Sequence, residues 1–147
     1  LALTSSKPGK TRVVNHFSIN DKWYLVDLPG YGYAKASATE RRAIEDVIRN
    51  YLNFSKELKL LFVLIDSRHD LTPADASFLH EMGTSDIPFA LIFTKADKQG
   101  PVATRRQIDK CMAQIEELLG HAPDHFISSS EKNVGKEDIL NYIEHYA

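Results

Sequence analysis

Cysteine and tryptophan each occur once in these 147 residues, at Cys111 and Trp23. A single thiol excludes an intramolecular disulfide and a cysteine-built zinc site, and it points to a reducing cytoplasm. Long apolar runs are also missing. The longest extends only from Leu60 to Ile65, far below the ~18 residues that cross a bilayer, so no membrane partner is expected. Residues 1 to 20 lack the continuous apolar stretch of a secretory signal. Nor does either charge dominate: the net charge of -2 argues against a general polyanion binder, and no DNA partner is expected. The six histidines show no metal-ligand spacing.

What is present suits one compact domain, with 43% hydrophobic and 26% charged residues. Charge is uneven along the chain. Ten basic and six acidic residues lie in the stretch that ends at Leu60, whereas eight basic and fourteen acidic follow it. Such asymmetry fits a basic face for an anionic partner, and also scattered solvated charge.

Periodicity sets out the order of elements. Val13 to Ile19 and Lys22 to Leu28 read as strands, and the Asn20-Asp21 pair between them reads as a hairpin turn. Ile44, Val47, Ile48, Tyr51 and Leu52 recur at helical spacing from near Thr39. Leu60 to Ile65 reads as a strand buried on both faces. Thr72-Pro73-Ala74-Asp75 opens a helix with a hydroxyl cap, proline at the first helical position and an acid in the first turn. Phe78, Leu79 and Met82 form its inward stripe. A second buried strand, Phe89 to Phe93, precedes a long helix with Ile108, Cys111, Met112, Ile115 and Leu119 inward and Gly120 as its stop. A short strand from His125 to Ser128 and a helix carrying Ile139, Leu140 and Ile143 follow. This alternation predicts an α/β fold in three layers, with a mostly parallel sheet and an antiparallel N-terminal hairpin. Ligands of such folds bind where loops leave the carboxyl ends of strands.

Four polar clusters lie at strand ends or just before a strand: Lys7-Pro-Gly-Lys-Thr11, Asp27-Leu28-Pro29-Gly30, Thr94-Lys95-Ala96-Asp97 and Ser128-Ser129-Ser130-Glu131. Each alone is a weak signal. In this order and this pattern they resemble the P-loop GTPases, and Ser5 to Thr11 together with Asp27 to Lys35 and Thr94 to Asp97 resembles the bacterial EngB family (also called YihA or YsxC) across essentially the whole chain. The resemblance implies bound GTP or GDP with Mg²⁺. It makes the segment around Thr11 the first switch: the Thr11 hydroxyl would coordinate Mg²⁺, Gly9 and Lys10 would flank it, and Arg12 and Val13 would lead into the next strand. Asp27 would hold Mg²⁺ through a water, with Leu28 and Pro29 leading to Gly30, whose N–H can approach a γ-phosphate. Asp97 would accept from guanine N1–H and N2, a donor pair adenine lacks, while the Lys95 stem covers the base. Thr94 stands where other GTPases carry asparagine. Ser128 to Ser130 would supply a backbone N–H to guanine O6, in a register open by one residue. Asp66 and Arg68 are expected to have a structural role only.

Two departures matter. Gly9-Lys10-Thr11 is not a Walker A motif, because no glycine and no strand precede Gly9. The expectation is therefore one G domain over residues 1–147 that is incomplete at its N-terminus. Tyr31 stands where many GTPases carry a water-orienting glutamine, so slow hydrolysis is expected. The resemblance further implies a cytoplasmic, monomeric switch in assembly of the large ribosomal subunit, binding that subunit or its rRNA, linked to cell division and septation. The alternative is a noncatalytic ribosome- or RNA-binding module with the same fold.

Overall fold

The computed structural model describes residues 15–19, 21–31, 37–129, 131–132 and 134–146. Gly9, Lys10, Thr11, Arg12, Val13, Asn20 and Ser130 lie outside the described residues. The chain divides into two compact units, residues 1–58 with 147, and Lys59–Tyr146.

In the first unit, β1 (Asn15–Ile19) pairs antiparallel with β2 (Trp23–Asp27), Ile19 opposite Trp23 and Phe17 opposite Leu25. The turn closes through the Lys22 N–H, which donates to the Ile19 carbonyl at 3.0 Å. Asp21 takes φ 55° there, a left-handed conformation that aspartate tolerates better than most residues. Helix α1 (Ala38–Phe54) starts at Ser37, whose hydroxyl accepts from the Glu40 N–H at 3.1 Å. Its stripe buries Ile44 and Ile48, one turn apart, and leaves Val47, Tyr51 and Leu52 half-buried. The Tyr51 ring meets His16 of β1 at a centroid distance of 6.5 Å.

The second unit alternates β3 (Leu61–Asp66), α2 (Pro73–Gly83), β4 (Phe89–Thr94), α3 (Pro101–Leu119), β5 (His125–Ile127) and α4 (Lys136–Tyr146). Its strands form a parallel sheet in the order β3-β4-β5. Both crossovers step the same way along the sheet, so right-handed connections place α2 and α3 on one face. There they bury Leu79, Met82, Ile108, Cys111 and Ile115. On the opposite face Tyr142 of α4 meets Phe62 of β3 and Phe126 of β5, with centroids 6.2 and 5.0 Å apart. The unit is thus three layers, helix, sheet and helix. Strand β4, in the middle, buries Ala90, Leu91, Ile92 and Phe93 on both faces, as its unbroken apolar run requires.

Strand β3 departs from expectation. Val63 and Ile65 are buried, but Leu64 is 54% exposed. Among the described residues β3 pairs with β4 alone, and the ring contact from α4 falls on Phe62, nearer the strand's start. Among the described residues no helix is long and apolar enough to cross a membrane.

The punctuation of the second unit matches the chemistry of its residues. Thr72 and Asp75 form a reciprocal capping box, the Thr72 hydroxyl accepting at 3.0 Å and the Asp75 carboxylate at 3.1 Å. Gly120 ends α3 at φ 80°. Gly135 leads into α4 at φ 84°, and a Cβ there would collide with the Ile127 carbonyl oxygen. Gly135→Ala should therefore destabilise the fold by more than the ~1–2 kcal/mol that a left-handed backbone alone costs. Thr72→Ala should cost about 1 kcal/mol through loss of the cap. Urea unfolding of the two variants measures both effects; a Gly135→Ala midpoint equal to that of the parent would contradict the clash.

Candidate nucleotide site at the strand ends

In the first unit, Asp27 closes β2 and Leu28, Pro29 and Gly30 follow as a loop. Pro29 is buried, while Asp27, Leu28, Gly30 and Tyr31 are half-buried. Burial pushes the Asp27 carboxyl above its ordinary range.

In the second unit the carboxyl ends of β4 and β5 bring two of the predicted loops together, those of Thr94 to Asp97 and of Ser128 and Ser129. Register sets this up, since Asp66 lies beside Thr94 and Phe93 beside Ile127. Backbone bonds continue the ladder past the strands: Ser67 N–H to Thr94 O at 2.9 Å, Ser128 N–H to Phe93 O at 2.8 Å, and Ala96 N–H to Ser128 O at 3.1 Å. The Thr94 hydroxyl makes a long bond, 3.4 Å, to the Ile65 carbonyl and so points back to β3. Lys95 takes φ 59°. Lysine in that left-handed region is strained by about 1–2 kcal/mol, held in place by bonds on either side of it. From below, buried Thr104 in the first turn of α3 reaches the carbonyls of Ala96 and Gln99 at 3.4 and 3.5 Å.

Asp97 is the best-defined polar group here. Its side chain is only 8% exposed, and its Oδ1 accepts from the Ser129 hydroxyl at 2.5 Å. That bond, helped by the charge of Lys98 3.8 Å from Oδ2, holds the carboxyl below its usual range. Asp97 is therefore a carboxylate at neutral pH, with acceptor positions beyond the one Ser129 uses. Ser129 is itself buried and accepts from the Lys132 N–H at 3.1 Å. Lys98 also spans to Glu131 at 2.7 Å, joining the two loops by a second, exposed link.

Ser129 thus ties the end of β5 to Asp97. The N–H groups of Ser128 and Ser129 donate to Phe93 and Val134 carbonyls, and Ser130 lies outside the described residues. Asp66 has more partners than a strand-end turn needs. It accepts from the Arg68 N–H and Nε, both at 3.0 Å, and from Nη2 at 2.8 Å, and Lys95 Nζ stands 3.5 Å away. Burial alone would raise its carboxyl, but the Arg68 bonds and the charges of Arg68 and Lys95 outweigh this and bring it to about 2. Its link to Lys95 has no local sequence signal, because the two residues are brought together only by β3–β4 pairing.

Comparison with known proteins speaks to the family and the fold. Residues 1–95 match the family model described as 50S ribosome-binding GTPase. A probable GTP-binding protein EngB of Porphyromonas gingivalis is 46% identical over 144 residues, covering 98% of this chain and 72% of that protein. Its counterpart in Christiangramia forsetii is 44% identical over 144 residues, covering 98% and 73%. Among solved structures, Era in complex with MgGDPNP and nucleotides 1506–1542 of 16S ribosomal RNA superposes with a TM-score of 0.73. At 18% identity, over 99% of this chain and 48% of that one, this match speaks for the fold alone. With GTPase-type loops at its strand ends and relatives this similar over nearly its whole length, the chain belongs to the EngB family of P-loop GTPases.

Proposed function

We propose that the protein binds and hydrolyses GTP and works as a nucleotide-dependent switch in assembly of the large ribosomal subunit. The observation that supports this reading is the shielded Asp97 carboxylate held by Ser129, a kind of acceptor that suits the N1–H and N2 donors of guanine. Lys95, two residues earlier in the same loop, would supply an apolar stem for the base in this reading. With the Ser128 and Ser129 N–H groups engaged elsewhere, the O6 donor of this reading is Ser130.

Mg²⁺ would be held through Asp27 and Thr11. A hard oxygen donor suits that ion, and a carboxylate raised by burial gains from a nearby positive charge. When bound, the ion neutralises charge on the phosphates. Gly9 and Lys10 flank the Thr11 segment in this reading, and Arg12 and Val13 follow it. In this reading residues 1–147 belong to one G domain, and Gly9-Lys10-Thr11 is not its phosphate loop. Tyr31 cannot orient water as a glutamine does, so hydrolysis is slow without a partner. The ribosomal partner, a monomeric cytoplasmic state and a link to cell division and septation rest on family resemblance.

The decisive test is Asp97→Asn in the full-length protein, with GTP and XTP binding followed by titration. Charge-assisted bonds contribute about 1.5–3 kcal/mol each, so GTP affinity should fall at least roughly tenfold. Xanthine carries a carbonyl where guanine carries the amino group, so the new amide can donate to it and preference should move toward XTP. A folded variant with unaltered GTP affinity would remove Asp97 from the site and leave the noncatalytic RNA-binding reading.

A further inference from the structure

The reading of these loops as a guanine site gives no work to Asp66, which nonetheless has the densest set of charged partners in the second unit's strand-end loops. Arg68 grips it through the backbone N–H and two guanidinium nitrogens at 2.8–3.0 Å. A carboxylate bound in this bidentate way has little rotational freedom. Its Oδ2 then faces Lys95 Nζ at 3.5 Å.

The loop that carries Asp66 is fastened at its other end as well. Asp70 Oδ1 accepts from Gln107 Nε2 and from Lys110 Nζ of α3, both at 2.9 Å. Ser67 N–H donates to the Thr94 carbonyl, which locks this loop to the residue before Lys95. Asp66 is therefore a fixed anion rather than a mobile surface charge. Lys95, in contrast, has a half-exposed side chain on a left-handed backbone. Four methylenes separate its backbone from its charge, and free in water they would sample many rotamers. Anchoring the ammonium at Asp66 gives the stem one path, from the end of β4 toward the end of β3.

We propose that Asp66 is a positioning residue for guanine: by holding the Lys95 ammonium, it fixes the lysine stem against the base without touching the nucleotide itself. The proposal rests on the guanine-site reading. Arg68 keeps Asp66 oriented, and the Asp70 contacts keep the loop in place.

Titration of GTP and GDP against the full-length protein tests it, with Asp97→Asn measured alongside. Asp66→Asn should weaken GTP and GDP by the same factor, about five- to twentyfold, as expected for residues coupled in one network. The turnover of bound GTP at saturation should stay unchanged, because the base contact is common to all states. Asp66→Glu should recover part of the affinity. In a Lys95→Met background, Asp66→Asn should cost less than about twofold, because its target is gone. Since Asp66→Asn leaves Arg68 unpaired, the Asp66→Asn/Arg68→Gln pair removes both charges and should show the same loss from a balanced loop. Unaltered affinity in Asp66→Asn beside a weakened Asp97→Asn would overturn the proposal alone. An equal loss with and without Lys95 would also overturn it, by making Asp66 a purely structural residue. An unaltered Asp97→Asn would remove the guanine reading and this proposal with it.

Discussion

The parallel pairing of β4 with β5, Phe93 beside Ile127, is the constraint on which the strand-end arrangement depends. The hydrogen bond from Ser129 to Asp97, across 32 residues of sequence, exists because of it. Once the strands end together, the two loops leave side by side. The Ser128 bonds to Phe93 and Ala96 set their separation, and the serine hydroxyl then meets a carboxylate that is almost out of water. A buried carboxylate without such a donor would be costly or protonated. With it, Asp97 stays ionised while remaining shielded.

Stability for this comes from elsewhere. Ala90, Leu91, Ile92 and Phe93 are packed between helices on both faces, and burial of this kind yields about 25 cal/mol per Å² of apolar surface. That rigid strand is the base from which Thr94 to Asp97 project. The left-handed turn at Lys95 is a local cost borne by this packing. The contacts that tune the loop are polar and peripheral: Thr104 under Ala96, Lys98 across to Glu131, and Asp66 beside Lys95. The division is physical. Apolar packing sets where the loop is, and polar contacts set how its side chains stand.

Much of this was legible in the residues. The cap at Thr72, the stop at Gly120, the buried run of β4 and the inward positions Ile108, Cys111 and Ile115 follow from local chemistry and period, and the structure has each. The Thr94 to Asp97 and Ser128 to Ser130 loops were also readable as strand-end clusters. What escaped depends on contacts between distant residues. Three consecutive serines look alike until a tertiary bond selects Ser129. Asp66 looks like a turn residue until pairing brings Lys95 to it. Gly135 is one glycine among seven, and only the Ile127 carbonyl makes it obligatory. The exposure of Leu64 was hidden because an apolar run does not tell a one-sided strand from a two-sided one.

Ser129 keeps Asp97 poised as a carboxylate, and the most direct test follows the Asp97 side-chain carbon by NMR through an acid titration, in the parent protein and in Ser129→Ala. The parent carboxyl should titrate below the ordinary aspartate value of 3.8. Removing the hydroxyl should move its midpoint upward, because the largest stabilising contact of the charged form is gone. An Asp97 midpoint that is the same in both proteins would contradict the account.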